Sequence, residues 1–346
     1  MAKKVVNYPS IHTIRYMGNK TKLFNFILPK IEDVTEEGDT ICDLMCGTSS
    51  IGYALSQRNV IISNDFQKSS SVVSEALLLT KNVPTMNEIH ADIDNSFQEN
   101  MKQQHFNFFY KEYSDTYFAP NQCLQIDSIR FAISKVSKNK QSLYLTFLMS
   151  AMCKAQSTPG HFAQFLKKDC KRVQPLRRYD LLKLFYEKAC EFQTIPISKY
   201  KNIVFNKDYN DLLNNSLLKK VKCFYLDPPY TTDQYSRFYH ILETVCLYDS
   251  PKTSCKAKYR ERRKKSNFCY KNLVYKEFEK VISFAHSNKS SLIISYSNHG
   301  VAVPEKILEI GKKYYNNFSL VFEDYKHSSQ GSGSIKIFEC LIILKY

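Results

Sequence analysis

The sequence of 346 residues lacks tryptophan, and it also lacks the patterns that mark several classes of protein. No apolar run approaches the roughly 18 residues of a membrane span, and the N-terminus has no apolar core of the kind found in signal peptides. The cysteines number 11 and none lies in a Cys-x-x-Cys pair, so neither a disulfide framework nor a zinc site is indicated. We therefore expect a cytoplasmic protein with no membrane association and no metal centre.

Positive charge and aromatic rings are what the chain has in excess. Lys and Arg total 49 against 33 Asp and Glu, a formal net charge of +16, and Tyr and Phe make up 14% of the residues. A basic, aromatic-rich surface suits nucleic acid, although a basic proteome with AT-rich coding gives the same composition. The hydrophobic share of 43% is enough for one large domain or a core domain with an insertion.

Strands alternate with helices over most of the chain, which is typical of a parallel α/β sheet. The expected strands are residues 40–44, 60–63, 203–205, 223–226, 292–296, 318–322 and 335–344; the expected helices are 20–31, 50–57, 69–80, 212–220, 238–248 and 275–287. Between residues 85 and 199 the alternation is lost. We therefore predict one sheet domain from residues 1–84 and 200–346, with an inserted segment, residues 85–199, as a second lobe facing the ligand-binding edge of the sheet.

The strongest chemical signal is Asp227-Pro228-Pro229-Tyr230, here called the DPPY turn, which directly follows the apolar run at residues 223–226. Ligands of open α/β sheets bind beyond the carboxyl ends of strands, and two prolines make a rigid turn. The carboxylate and the proline carbonyls would accept hydrogen bonds from an exocyclic amino group, and the tyrosine ring would stack on a base. Because Asp and Pro are also ordinary turn residues, the turn alone leaves a structural role open.

A second signal runs from Asp43 through Gly47 into a helix. Gly47 lets a ligand approach the backbone, and the N-terminus of the helix offers free N–H groups. The spacing is not Gly-x-Gly-x-x-Gly and there is no Walker lysine, which argues against dinucleotide and triphosphate sites. Asp65 ends the next strand, where a carboxylate can accept bonds from both hydroxyls of a ribose. Together these residues favour an adenosine-containing cofactor.

The segment Arg15-Tyr16-Met17-Gly18-Asn19-Lys20, the glycine segment at residues 43–52, Asp65 and the DPPY turn, in this order, resemble the Dam-like alpha class of DNA adenine methyltransferases. The resemblance implies a Rossmann-like sheet that binds S-adenosylmethionine and methylates N6 of a flipped-out adenine in double-stranded DNA. It also implies that residues 85–199 are a target-recognition domain. We expect either a restriction–modification system with a cognate endonuclease or a solitary methylase.

The resemblance assigns site residues one by one. Tyr16 and Lys20 would contact the cofactor, Asp43 and Gly47 would line its methionine end, Asp65 would bind its ribose and Asp208 its adenine. Asp227 and the Pro228 carbonyl would accept bonds from N6, and Tyr230 would stack on the adenine. Ser49 departs from the family pattern, which often has a second glycine there.

Two basic stretches are expected to contact phosphates. Residues 252–265, here called the basic loop, carry eight Lys or Arg and one Glu, with Arg260, Arg262 and Arg263 in the densest part. The inserted segment adds Lys167, Lys168, Lys171, Arg172, Arg177 and Arg178. We predict that Tyr235 closes over the flipped base. His161 and Gln164, in the turn at residues 157–164, are expected to face DNA, although a structural turn with a buried histidine fits them equally well.

Two other functions stay open at this point. DPPY-like strand ends also serve base amino groups in RNA, so an RNA methyltransferase is one alternative, and a noncatalytic DNA-binding protein on the same fold is the other. The insertion and the N-terminal motif favour DNA over RNA. The intact Asp227 and Tyr230 argue against a noncatalytic protein, which needs no acceptor for an amino group.

Overall fold

The computed structural model describes residues 8–324 and 338–346. The start of the strand expected at residues 335–344 and residues 1–7 of the expected sheet domain lie outside the described residues. Among the helices of the described part, none is both long enough and apolar enough to cross a membrane.

Seven strands form one sheet, and a separate hairpin is made by two short strands. In chain order the strands are β1 Thr40–Asp43, β2 Val60–Asn64, β3 Ile203–Phe205, β4 Cys223–Leu226, the hairpin β5 Thr253–Ser254 and β6 Tyr259–Arg260, β7 Ser291–Ser297, β8 Asn317–Asp324 and β9 Phe338–Lys345. The sheet order is β3-β2-β1-β4-β7-β9-β8. Pairing is parallel from β3 to β7, and β9 is antiparallel to both β7 and β8. The predicted α/β class with a Rossmann-like sheet is confirmed.

Helices cover both faces of this sheet. They are α1 Phe24–Glu32, α2 Ser50–Leu55, α3 Lys68–Leu78, α4 Met86–Gln103, α5 Phe108–Tyr113, α6 Pro120–Lys135, α7 Lys138–Ala155, α8 Leu181–Phe192, α9 Tyr209–Leu212, α10 Tyr235–Phe238, α11 His240–Leu247, α12 Val274–Ser287 and α13 Pro304–Lys312. Successive strand residues point to opposite faces, so Ile41 and Ile293 join one hydrophobic cluster while Cys42 and Ile294 join the other. Burial on both faces explains why the central strands are continuous apolar runs without polar alternation.

The inserted segment folds as five helices, α4 to α8, and contains no strand. Thr85 and Glu88 begin α4 with a capping box, because each side chain accepts a bond from the other's backbone amide. The inserted helices share the first hydrophobic cluster with α3 and α11. Arg130 of α6 also donates to the carbonyl of Val245 in α11 at 2.9 Å. The segment therefore packs against α11, the second helix after the DPPY turn.

Three helices differ from the sequence prediction. The helix expected at residues 212–220 is divided into α9 and a 3-10 turn, Ser216–Lys220, because Asp208 and Asn215 each cap a new start by accepting from the backbone two residues on. The helix expected at residues 238–248 is interrupted at Tyr239, which ends α10 with a non-helical backbone. Helix α13, which begins at Pro304, was not predicted.

Candidate active site

One cavity lies where the strand order reverses between β1 and β4, at the carboxyl ends of the parallel strands. Its lining includes every residue predicted for the cofactor, the whole DPPY turn and Tyr235, that is Tyr16, Lys20, Asp43, Gly47, Asp65, Asp208, Asp227, Pro228, Pro229, Tyr230 and Tyr235. Such a switch point is where open α/β sheets bind their ligands. The structure thus brings together residues from five separate segments of the chain.

Asp227 has one carboxylate oxygen bound to protein and the other free of it. Its Oδ1 lies 2.7 Å from the Tyr230 hydroxyl and 3.1 Å from Lys20 Nζ. Within residues 8–324 and 338–346, no donor hydrogen-bonds to Oδ2, and the side chain is 20% exposed. Burial raises the pKa of Asp227 to about 6, although Lys20 acts in the opposite direction. The turn therefore presents a carboxylate oxygen that a ligand can bind.

Lys20 lies between two carboxylates, one of which the sequence analysis missed. Its Nζ is 3.1 Å from Asp227 Oδ1 and 3.1 Å from Oε1 of Glu339 on β9. Glu339 is only 1% exposed and also accepts from Ser295 Oγ at 2.7 Å. Burial alone would lower the pKa of the Lys20 ammonium, but the two carboxylates outweigh it and raise the pKa. The sequence signal for Glu339 was an acidic residue inside the apolar strand β9.

Asp43 and Gly47 shape the part of the cavity next to β1. Asp43 Oδ1 is buried and has no hydrogen-bond partner among the described residues. Burial first, and then the charges of Asp227 and Asp65, raise the pKa of Asp43 well above its usual value. Gly47 has φ +52°, and a Cβ there would lie 3.2 Å from a ring carbon of Tyr16. An acidic oxygen without a partner in the described part of the chain fits a ligand that carries positive charge.

Asp65 and Asp208 line the cavity and also accept hydrogen bonds from backbone amides. Asp65 accepts from the amides of Gly47 at 3.1 Å and Gln67 at 2.9 Å, so it ties the glycine turn to the end of β2. Burial raises the pKa of Asp65 to about 7, against the effect of these two bonds. Asp208 caps α9 by accepting from the amide of Asn210 at 2.9 Å. Their binding of ribose and adenine stays a prediction.

Tyrosine rings join the N-terminal motif to the segment after the DPPY turn. Tyr16 stacks on Tyr239 with ring centroids 4.2 Å apart and lies 5.6 Å from the ring of Tyr235. Tyr239 also accepts a bond from the amide of Met17. Tyr16 and Tyr235 both line the cavity. The closure of Tyr235 over a bound base stays a prediction.

A known protein family matches most of the chain. The sequence model of the D12 class N6 adenine-specific DNA methyltransferases matches residues 16–315. The chain belongs to this family. The matched residues include the whole DPPY turn and end before Glu339. Membership implies S-adenosylmethionine as the methyl donor.

Modification methylases are among the relatives of this D12 chain. The chain is 28% identical over 342 residues to modification methylase LlaI of Lactococcus lactis subsp. lactis, covering 93% of the chain and 53% of the relative. It is 27% identical over 347 residues to type II methyltransferase M.FokI of Planomicrobium okeanokoites, covering 93% and 51%. It is 26% identical over 326 residues to M.NlaIII of Neisseria lactamica, covering 90% and 92%. The chain thus spans about half the length of the first two relatives.

The basic loop of this D12 protein lies beside the cavity. Gln234 and Ser266 exchange two hydrogen bonds, and Lys265 lines the cavity itself. The Arg260 side chain is 12% exposed and forms a bidentate ion pair with Asp249. Its Nη1 lies 2.9 Å from Oδ1 and its Nη2 lies 2.6 Å from Oδ2. Its guanidinium is therefore engaged within the protein, and its contact with phosphate stays a prediction.

The other predicted phosphate contacts differ in exposure. Arg262 is exposed, with φ +55°. Arg263 is partly buried, donates to the carbonyl of Arg260 at 2.7 Å and lies 4.9 Å from the centre of the Tyr259 ring. Of the three arginines in the densest part of the loop, Arg262 is thus the most available to a ligand.

The turn at residues 157–164 is anchored to α11. His161 is half-buried against Phe238, with ring centroids 4.9 Å apart, and burial lowers the pKa of His161. Gln164 is exposed. The carbonyl of Phe162 lies 3.0 Å from His240 Nε2, a buried residue that the sequence analysis did not single out. The histidine at the turn therefore packs on protein, while the glutamine faces solvent.

Proposed function

We propose that this D12 family member transfers a methyl group from S-adenosylmethionine to N6 of a flipped-out adenine in double-stranded DNA. The observation that carries the proposal is Oδ2 of Asp227, which accepts no hydrogen bond from the described residues and lies in a rigid turn at the switch point. The order of the N-terminal motif, glycine turn and DPPY turn supports the Dam-like alpha class. The similarity to modification methylases supports a role in a restriction–modification system, with a cognate endonuclease as partner.

The cavity fits the cofactor that the family implies. S-adenosylmethionine carries a sulfonium and an ammonium group, and three of the acids that line the cavity are Asp43, Asp65 and Asp208. Asp43, whose Oδ1 has no partner among the described residues, and the backbone at Gly47 would hold the methionine end. Asp65 would hold the ribose, and Asp208 the adenine. When bound, the cofactor supplies an electrophilic methyl group.

The DPPY turn would make the adenine amino group reactive by positioning it. That nitrogen is a poor nucleophile because its lone pair is delocalised into the ring. Hydrogen bonds from N6 to Asp227 Oδ2 and to the Pro228 carbonyl favour a pyramidal nitrogen whose lone pair is directed away from the ring plane. The carboxylate also faces the positive charge that develops on N6.

Flipping the adenine costs a few kcal/mol for unstacking and unpairing. Stacking on Tyr230 would return about 1–3 kcal/mol of that cost. Burial raises the pKa of Tyr230 well above its usual value, so its hydroxyl keeps the proton that it donates to a carboxylate. Tyr235, which lines the same cavity, would complete the pocket.

We infer a division of the chain into a methyltransferase domain, residues 1–84 and 200–346, and a target-recognition domain, residues 85–199. Support comes from the helical fold of residues 85–199, which contribute no strand to the sheet. The basic loop contacts this segment where the Tyr259 hydroxyl donates to the carbonyl of Ala163, next to the exposed Gln164. Both predicted DNA-contacting surfaces therefore lie side by side near the cavity.

The test is the fate of a labelled methyl group. The protein is incubated with labelled S-adenosylmethionine and either unmethylated duplex DNA or RNA, and the product is digested to nucleosides. Label in N6-methyladenine from DNA is the expected result. Label found only in RNA would favour the RNA alternative, and binding of duplex DNA without any transfer would favour a noncatalytic protein.

Replacing Arg262 and Arg263 by Ala is expected to weaken binding to duplex DNA of any sequence. If both contact phosphates, the slope of log K against log salt concentration should become shallower by about 2. Binding is measured by fluorescence anisotropy at several salt concentrations. The control replaces Lys312, the last residue of α13, and Lys313, which follows it, by Ala and so removes the same charge elsewhere. An unchanged slope in the arginine variant would show that the loop is only a solvated charged surface.

A further inference from the structure

A buried cluster contacts Oδ1 of Asp227, the carboxylate oxygen opposite the open Oδ2. It consists of Lys20, Tyr230, Glu339 and Ser295, and it ends on Asp227 Oδ1. Glu339 Oε1 lies 2.6 Å from the Tyr230 hydroxyl, 2.7 Å from Ser295 Oγ and 3.1 Å from Lys20 Nζ. Lys20 and Glu339 are 4% and 1% exposed. Charged groups buried to this extent persist only when they are paired.

Glu339 and Asp227 share the same two donors. The Tyr230 hydroxyl lies 2.7 Å from Asp227 and 2.6 Å from Glu339, and it carries one proton to donate. The Lys20 ammonium is at 3.1 Å from both carboxylates. One ammonium between two carboxylates leaves a net negative charge. Asp227 is therefore only partly neutralised, although it has a lysine beside it.

This sharing affects how well Asp227 can accept a hydrogen bond. A carboxylate that has a cation to itself accepts a further hydrogen bond less strongly than a carboxylate that shares its cation with a second acid. Because Glu339 also accepts from Tyr230 and pairs with Lys20, Asp227 is more basic than it would be in an ion pair with Lys20 alone, and its Oδ2 is a stronger hydrogen-bond acceptor. The rigid donors on Oδ1 also fix the plane of the carboxyl group.

We propose that Glu339 is a positioning residue for methyl transfer, which acts through Lys20 and Tyr230 to orient Asp227 and to keep its Oδ2 a strong acceptor. The proposal rests on the proposed function. It gives Lys20 a part in the acceptor site in addition to, or in place of, the predicted cofactor contact. Glu339 itself does not touch the substrate.

Titratable groups from several elements face Asp227. They are Lys20 from the N-terminal segment, Asp43 at the end of β1, Tyr225 on β4, Tyr230, Tyr235 on α10 and Glu339 on β9. Lys20 favours the ionised form of Asp227, whereas Glu339 favours the neutral form. Replacing one or the other is therefore expected to move the ionisation of Asp227 in opposite directions.

The experiment measures kcat against pH for the wild type, Glu339→Gln and Lys20→Met with duplex DNA and S-adenosylmethionine. In Glu339→Gln, Lys20 pairs with Asp227 alone, so we expect kcat to fall about tenfold and the acid limb to move down by about one pH unit. In Lys20→Met the acid limb should move up. The KM for the cofactor should change much less than kcat in the glutamine variant.

Matched variants separate this role from a structural one. Glu339→Asp keeps the charge and is expected to retain the acid limb of the wild type, and Glu309→Gln removes a charge from the surface of α13, where Glu309 is 66% exposed. An acid limb in Glu339→Gln that coincides with the wild type, or that moves equally in Glu339→Asp, would overturn the proposal. A wild type that produces no N6-methyladenine would instead overturn the proposed function.

Discussion

Replacing Asp227 by Asn is expected to lower the rate of methyl transfer by about 10²–10³-fold. The amide has nearly the same shape, but its oxygen is a weaker acceptor and its NH₂ group would meet the amino group of adenine with a second donor. Asp227→Ala removes the acceptor altogether and should abolish transfer. Because Asp43, Gly47 and Asp65 are untouched, binding of S-adenosylmethionine should largely survive in both variants.

Single-turnover kinetics with labelled cofactor measure this effect without a contribution from product release. Cofactor and DNA affinities are measured on the same preparations. Asp33→Asn on the surface after α1, where Asp33 is 51% exposed, is the matched control and should behave as the wild type. Wild-type turnover in Asp227→Ala would refute the assignment of Asp227 as the acceptor.

Replacing Lys20 by Met is expected to lower the free energy of unfolding by about 3–5 kcal/mol. The substitution leaves Asp227 and Glu339 buried near one another around the Tyr230 hydroxyl without the cation between them. Chemical denaturation at pH 8 measures the loss. A double variant that also carries Glu339→Gln should recover part of the stability, because it removes one of the two uncompensated charges.

The loss should depend on pH in a defined direction. Without Lys20, burial and Glu339 both raise the pKa of Asp227 further above its unfolded value. The folded state then binds more protons than the unfolded state, so stability falls as pH rises from about 4 through the raised pKa. The deficit of Lys20→Met should therefore be smallest in acid and complete above neutral pH. Equal free energies of unfolding for the variant and the wild type at pH 8 would show that Lys20 does not stabilise the two buried carboxylates.

Local patterns made much of this site predictable. The apolar runs that became β1, β2 and β4 end at Asp43, Asp65 and Asp227, and the rule that parallel strands present their carboxyl ends at one edge brings the three acids together. The two prolines after Asp227 indicated a rigid turn from sequence alone. The loss of alternation between residues 85 and 199 indicated an insertion, and the structure shows five helices and no strand there.

What could not be predicted depends on contacts distant in sequence. Glu339 reaches the site because β9 inserts antiparallel between β7 and β8, and no local signal specifies that order. Lys20 finds its partners more than 200 residues away, so its ion pairs were invisible to motif reading. Arg260 was indistinguishable from its exposed neighbours until the hairpin placed it against Asp249. The turn with His161 likewise gained its anchor, His240, only through tertiary packing.

The most direct test of the account is nucleoside analysis of unmethylated duplex DNA after incubation with labelled S-adenosylmethionine, with wild type and Asp227→Asn compared side by side. The account predicts that the wild type places the label on N6 of adenine, and that the variant, with the cofactor and DNA still bound, places 10²–10³-fold less in the same time. Label on cytosine, label only in an RNA substrate, or equal labelling by the two proteins would contradict it.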